Sequence, residues 1–218
     1  MSQLQKLIDE LCPEGVEYKK LGEVFELRNG YTPSKNNASF WEGGTIPWFR
    51  MEDIRLNGRV LSDSIQHITT SAVKGAGLFP ANSYIIATSA TIGEHAMILQ
   101  EALANQRFTN LSIRSSFKDK YDNKFLFYYL FVVDEWCIKN VNEGNFASVD
   151  MQKLRNFEIP VPPLPVQEEI VRILDKFTTL EAELEAELEA ELDCRKRQYE
   201  YYRDKLLNFS KLTGGANG

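Results

Sequence analysis

No stretch of this sequence is apolar for long enough to cross a bilayer. The longest run, Phe125 to Val133, is about half of what a spanning helix requires. No basic segment followed by an apolar one opens the chain, so no secretion leader is expected and the expected compartment is the cytoplasm. Cysteine is scarce: Cys12, Cys137 and Cys194 are odd in number and too far apart for a metal knuckle or redox pair, and read as free thiols. With only His67 and His95, a histidine-rich metal site is not available, and the expected metal content is none. Asp53, Asp63, Glu94 and Asp122 are scattered without metal-ligand spacing. The motifs of common catalysts are missing as well. There is no Gly-rich loop ending in Gly-Lys-Ser/Thr, no GxGxxG after a strand, no Asn-Pro-Pro-aromatic element and no GxSxG elbow. These absences argue for a non-catalytic chain.

An excess of positive charge is also lacking: the net charge is −6. Its distribution is uneven. Residues 161–218 carry twelve acids against eight bases, and residues 1–160 nineteen against seventeen. The first part is therefore nearly neutral, which leaves room for a local basic face.

What is present is enough apolar surface for one substantial core, with 43% hydrophobic and 11% aromatic residues. Leu4–Leu11 has helical spacing and stops at Cys12-Pro13. From Tyr18 to about Ser115 the signals are strands and turns. Tyr84–Thr88 and Leu111–Ile113 are β-rich. Asn29-Gly30 and Asn57-Gly58 are tight-turn dipeptides, the second flanked by Ile54, Leu56, Val60 and Leu61 as in a hairpin. Lys124–Val141 predicts a mostly buried helix whose aromatics belong to the core, as do Trp41 and Trp48.

The composition changes at Ile159-Pro160-Val161-Pro162-Pro163-Leu164-Pro165. Four prolines in six positions allow neither helix nor central strand, and predict a stiff extended connector. Pro165 then stands where a helix can begin. Val166 to Phe209 has no proline or glycine, which predicts an arm of 44 residues, about 66 Å long. Within it Leu180-Glu-Ala-Glu, Leu184-Glu-Ala-Glu and Leu188-Glu-Ala-Glu repeat, followed by the degenerate Leu192-Asp-Cys-Arg. Each unit advances a helix about 400°, so successive leucines are displaced by about 40°. This is either a solvated acidic spacer or a ruler set by the number of units, and the two are compatible. The expected organisation is a globular head over 1–163, a long helical spacer arm over 164–210, and a flexible tail over 211–218.

Ordered along the chain are segments that resemble one family. They are Leu7–Pro33, Gly43–Ile54 (GGTIPWFRMEDI), Ser89–Ile98 (SATIGEHAMI), Ala104–Leu111 (ANQRFTNL), the junction Leu154–Phe177 (LRNFEIPVPPLPVQEEIVRILDKF) and Arg195–Phe209 (RKRQYEYYRDKLLNF). Together they resemble half of a specificity subunit from a type I restriction-modification system. The resemblance implies an α+β fold: a target recognition domain with a mixed or antiparallel sheet, followed by one long helical arm that pairs as an antiparallel coiled coil. It implies a DNA-recognition subunit, not an enzyme, that reads one half of a split target on double-stranded DNA. Modification subunits, which bind S-adenosylmethionine, and restriction subunits, which use ATP and Mg, are the implied partners. In the family, tetrapeptide repeats of this kind are understood to set the half-site spacing. A usual member carries two recognition domains and two helical regions, whereas this sequence carries one of each.

The arm's apolar residues Ile170, Ile173, Leu174, Phe177, Leu180, Leu184, Leu188, Leu192, Tyr199, Tyr202 and Leu206 are expected to mediate self-association. A two-fold pair predicts an inverted-repeat target. Base edges are read by Arg, Asn, Gln and Ser/Thr, phosphates by Lys, Arg and backbone N–H groups, and both from loops. The expected DNA-contacting residues are Tyr31, Thr32, Lys35, Arg50, Ser89, Thr91, Gln106, Arg107, Asn142 and Asn145. Rival readings are an interaction protein that docks through its acidic helix, or a module of a single-chain restriction-methylation enzyme.

Overall fold

Tyr84 and Ile86 belong to one apolar cluster, Ile85 and Ala87 to another, and this alternation along a single strand divides the core in two. The strand is buried at every position, so it lies in the middle of a sheet covered on both faces. In the computed structural model, which describes residues 2–142 and 147–209, the chain forms two compact units, Met1–Val171 and Arg172–Gly218.

In chain order the strands are β1 (Glu17–Lys20), β2 (Phe25–Asn29), β3 (Ile46–Phe49), β4 (Val60–Leu61), β5 (His67–Ile68) and β6 (Ser83–Ala87). They continue as β7 (His95–Ile98), β8 (Leu103–Ala104), β9 (Phe108–Ile113), β10 (Val141–Asn142), β11 (Ser148–Val149) and β12 (Glu158–Val161). The helices are α1 (Gln3–Leu11), α2 (Leu21–Val24), α3 (Met51–Asn57), α4 (Asn123–Lys139), α5 (Met151–Asn156) and α6 (Leu164–Leu207).

The main sheet runs β2-β9-β6-β7-β4 and is antiparallel except for the β4–β7 pair. A second sheet, β5-β3-β8, is also mixed. One face of the main sheet packs Tyr84, Ile86 and Leu111 against α4, α2 and α5. The other packs Ile85, Ile98 and Phe108 against Trp48, Phe49 and Ile54. This is the α+β architecture with mixed sheets that the sequence implied. Trp48 is buried as expected, and half-buried Trp41 meets it edge-to-face with centroids 5.1 Å apart.

Three elements differ in detail from their sequence reading. The hairpin expected at Asn57-Gly58 is not formed: Met51–Asn57 is helix α3, and Gly58 ends it at φ 77° with its N–H on the Ile54 carbonyl at 2.9 Å. Asp53 starts that helix by accepting the Arg50 N–H at 2.7 Å, and Ile54 is buried while Leu56 is exposed. Before Asn57 the apolar residues therefore follow a helical period, with Met51 and Ile54 buried, and only Val60–Leu61 after it form a strand. In α4, Phe125, Leu126, Leu130, Val133 and Cys137 are buried, but Phe131, Val132 and Ile138 on its other side are exposed. Its buried Asp134 accepts from the enclosed His95 Nδ1 at 2.6 Å and pairs with Arg59 at 3.3 Å. Finally, part of the proline connector is strand: Glu158–Val161 pairs antiparallel with β1 in a two-stranded sheet, with Pro160 opposite Tyr18. A two-stranded ribbon has open outer edges, where a residue without an N–H is tolerated.

Helix α6 starts at Leu164, and its first two turns belong to the first unit, because Val166, Gln167 and Glu169 are buried there. Gln167 Nε2 donates to the carbonyls of Lys120 (2.8 Å) and Pro162 (2.7 Å), and its Oε1 accepts the Asp122 N–H at 2.8 Å. In the second unit the helix runs on to Leu207, and every side chain from Lys176 to Phe209 is exposed. The segment assigned to a tail, 211–218, lies outside the described residues. Among the described residues no helix is long and apolar enough to cross a membrane.

Candidate nucleic-acid interface

The loop leaving β2 is the first part of the site, and Gly30 dictates its course. Its N–H donates to the Phe108 carbonyl at 2.8 Å, and the Tyr31 N–H to the Ala104 carbonyl at 2.9 Å. A Cβ at Gly30 would lie 2.3 Å from the Asn105 carbonyl oxygen, so only glycine permits this approach. Segments 30–35 and 104–107 are thereby held side by side. The Asn105 N–H donates to the Phe49 carbonyl at 3.0 Å, which brings in the end of β3 and Arg50.

These three segments enclose a concavity of about 270 Å³, lined among others by Thr32, Lys35, Arg50, Gln106 and Arg107 over Trp48. Thr32 donates its hydroxyl to Gln106 Oε1, which leaves the Gln106 amide nitrogen as a donor. Asn105 accepts the Arg107 N–H at 2.9 Å and fixes the loop tip that carries exposed Arg107. The Arg50 guanidinium lies 5.8 Å from the Trp48 ring centroid, and its Nε, 3.9 Å from Glu52, is buried without a hydrogen-bond partner. Three cations and three neutral hydrogen-bonding side chains, Thr32, Asn105 and Gln106, thus line one hollow, with Glu52 as the acid on its wall. Such a set suits an anionic ligand that also has edges to be read.

A second group of sequence-predicted residues continues from the first. The Thr88 N–H donates to the Arg107 carbonyl at 2.9 Å, and the Thr88 carbonyl accepts the Val149 N–H at 2.9 Å. Ser89 bridges to Ser148, which also pairs with Asn142 in the β10–β11 ribbon. Ala90 holds a left-handed φ of 64° between Ser89 and Thr91, and the Thr91 N–H donates to the Ser89 carbonyl at 2.9 Å across this turn. Beneath it Thr88 and Thr109 share a hydrogen bond of 3.0 Å, and Thr109 donates to Asn29 at 2.9 Å. The structure therefore brings Thr32, Lys35, Arg50, Gln106 and Arg107 together and links Ser89, Thr91 and Asn142 to them through backbone contacts. Asn145 lies outside the described residues.

Tyr31 is placed differently. Its hydroxyl donates to the Ala72 carbonyl at 3.2 Å and accepts the Lys74 N–H at 2.9 Å, while Lys74 Nζ lies 4.6 Å from its ring centroid. The polar end of Tyr31 ties two loops together and is not free for a ligand. Asn105 and Lys74 were not singled out from sequence; their roles depend on contacts between distant segments, and only the Ala104–Leu111 resemblance pointed near Asn105.

The scattered acids are engaged locally. Asp53 accepts from the backbone of Arg50 and Ile65, and Asp122 caps α4 at the Phe125 N–H. The Ser64 N–H and then His67 hold the Asp63 carboxyl below its usual range. A larger cleft of about 450 Å³, lined by Asn82, Ser83, Tyr121 and Asp122 among others, contains none of the predicted residues. Burial pushes the Cys137 thiol up to about 12, so it is uncharged at neutral pH.

Comparison with known proteins agrees with the resemblance noted above. A family model described as the type I restriction modification DNA specificity domain matches residues 13–193. The chain is 57% identical over 218 residues to the type I restriction enzyme EcoprrI specificity subunit of Escherichia coli, covering 97% of this chain and 54% of that protein. It is 38% identical over 205 residues to the EcoR124I/EcoR124II specificity subunit of Escherichia coli, covering 90% and 49%. The chain thus spans about half the length of the curated relatives it matches. Among solved structures, the HsdS subunit from Thermoanaerobacter tengcongensis superimposes with a TM-score of 0.60 at 23% identity, over 84% of this chain and 44% of that one. A chain from a structural study of complex assembly and conformational transition of the type I R-M system gives 0.65 at 24%, over 89% and 48%. At such identities these two superpositions speak for the fold.

Proposed function

The chain belongs to the type I restriction-modification DNA specificity family, and from that premise we propose that its head reads one half of a split target on double-stranded DNA. The hollow formed by Thr32, Lys35, Arg50, Gln106 and Arg107, with the linked turn at Ser89–Thr91 and Asn142, is the contact surface. The observation that carries this reading is convergence: residues chosen for hydrogen-bonding type and loop position, 74 positions apart in the case of Thr32 and Gln106, meet on one surface. Arg50 and Arg107 have the donor geometry for base edges, and Lys35 supplies a point charge for phosphate. Family membership does not favour a protein that docks unrelated partners through an acidic helix.

The chain itself holds no cofactor in this reading. Its role is to place modification subunits, which carry S-adenosylmethionine, and restriction subunits, which carry ATP and Mg, at a chosen sequence. The work takes place in the cytoplasm, where the genome is accessible. In this reading a split target needs a second recognition half, joined through the arm.

The test is to co-purify the chain with the modification subunit encoded beside it and to map methylated adenines across the genome. Methylation confined to a split target, lost when Arg50 and Arg107 are both replaced by alanine, supports the proposal. A stable complex that directs no site-specific methylation overturns it.

A further inference from the structure

Three stretches of the sequence hold no acid: residues 27–41, 64–93 and 102–118. Between them they carry six Lys and Arg residues, in a chain whose net charge is −6. Two of these stretches supply most of the hollow, and the fold brings the third alongside. Tyr31 is the joint. Its N–H donates to the Ala104 carbonyl at 2.9 Å, while its hydroxyl accepts the Lys74 N–H at 2.9 Å and donates to the Ala72 carbonyl at 3.2 Å. Arg28, near the end of β2, donates its guanidinium to the carbonyls of Ala76 and Leu78 and lies 4.8 Å from the Phe79 ring centroid. The segment from Ala72 to Leu78 is thus fastened at both ends and held beside the hollow.

Between the two fastenings, Lys74–Gly75–Ala76–Gly77 forms a tight turn. The Gly77 N–H closes it on the Lys74 carbonyl at 2.9 Å, and Gly77 takes the left-handed φ of 72° that the turn requires. Gly75 is under no such demand. Its φ is negative, and a Cβ there would meet nothing within 4 Å. What its missing side chain leaves open is close approach to the backbone from outside. Three donors stand at this tip. The exposed Gly75 and Ala76 have N–H groups without a hydrogen-bond partner among the described residues. Lys74 is exposed too, with its Nζ 4.6 Å from the Tyr31 ring centroid and no ion pair among the described residues. Successive N–H groups beside a cation make a cradle for phosphate oxygens. The tip carries no side chain that distinguishes one base edge from another, so the ligand chemistry it fits is a phosphate and not a base.

We infer that the Lys74–Gly77 turn is a second contact with DNA, holding one backbone phosphate through the Lys74 ammonium and the Gly75 and Ala76 N–H groups while the hollow takes base edges. This rests on the reading of the head as a DNA reader. The turn fixes where the duplex lies and leaves the choice of sequence to the hollow.

The full chain, in its complex with the modification subunit, is titrated with target and scrambled duplexes at several salt concentrations. One phosphate contact releases about 0.9 counterion, so at about 0.1 M salt its loss is worth about eightfold. Lys74→Gln is therefore expected to weaken both duplexes alike by about eightfold and to make the salt dependence shallower by about one ion, and Lys74→Arg to retain both values. Gly75→Leu is expected to weaken both duplexes without lowering the melting temperature, because no atom of the protein occupies the space where its side chain begins. Lys118→Gln makes the same change of charge beyond the other end of β9 and is expected to bind as wild type. Wild-type binding by Lys74→Gln or Gly75→Leu, a loss confined to the target duplex, or an equal loss from Lys118→Gln overturns the phosphate contact. A wild-type complex that prefers no sequence overturns the DNA reading of the head instead, so the two failures are distinguishable.

Discussion

Gly30 shows how one residue determines whether the hollow forms. Its missing side chain lets the loop after β2 lie against Ala104 and Asn105, whose backbone atoms would be 2.9 Å or less from any Cβ there. A backbone obstacle cannot rotate away, so Gly30→Ala is expected to displace 104–107 and to destabilise the head by about 2 kcal/mol. Thermal unfolding measures this, and an unchanged melting temperature would count against the packing described. The cations of the surface are expected to separate by role. Arg107→Ala should remove about 1–3 kcal/mol of discrimination at one base position, seen as methylation spreading to sites that differ there. Lys35→Ala should weaken binding evenly across sequences and make the salt dependence shallower by about one ion, measured by titrating DNA at several salt concentrations. Equal losses on all sequences for Arg107→Ala would reassign it to phosphate. Thr32, Lys35, Arg50, Gln106 and Arg107 stand out in the sequence as donors in turn-rich segments, and the structure places all five around one hollow. Tyr31 shows the limit: its hydroxyl is the right type, but the Ala72 and Lys74 backbone that occupies it lies 41 and 43 residues away, at a distance no local pattern reports.

Elements were legible where one period dominated over many residues. The 44-residue helix and the buried β6 were of that kind. Short elements were not: Met51–Asn57 carries a glycine after asparagine, a turn signature that serves hairpins and helix ends equally. What distinguishes them is Asp53, fully buried, accepting from the Ile65 N–H at 2.6 Å as well as from Arg50. The start of α6 has a similar hidden determinant. Gln167 looks like an ordinary polar residue on a solvated helix, yet it is completely buried and satisfies two carbonyls and one N–H of the surrounding segments. Gln167→Ala would leave those three backbone groups without partners in a buried site, and the expected loss is about 3 kcal/mol. Chemical denaturation of the full chain would show it as a lower midpoint with the same slope. A loss within about 0.5 kcal/mol would mean that water replaces the amide there.

At the scale of the whole molecule, family membership supplies the role and the arm supplies the geometry. In an antiparallel pair of arms with its two-fold axis at Leu188, each four-residue unit would lie where the two copies overlap, and its deletion would act on both chains at once. Removing Leu184–Glu187 leaves apolar positions at regular alternating three- and four-residue steps, which mirror at many centres; setting Glu181 of one copy against Arg195 of the other would select the midpoint between the former Leu188 and Leu192. Each arm then runs two residues less from its helix start to the axis. The two helix starts approach by four residues in all, about 6 Å, and rotate by about 40° relative to one another. DNA advances about 3.4 Å per base pair and turns about 35°, given roughly ten pairs per helical turn. The rotation corresponds to one base pair and the translation to nearly two. Orientation is the stricter demand, because a head that faces the wrong side of the duplex reaches no base edge, whereas a small axial offset can be taken up by bending DNA. The deletion is therefore expected to shorten the preferred spacer of the inverted-repeat target by about one base pair without changing the half-sites. Mapping methylated adenines for the shortened chain beside the wild type checks both parts of that statement. An unchanged spacer would show that the repeat is a solvated segment without a measuring role, and altered half-sites would show that the arm changes how the head reads DNA.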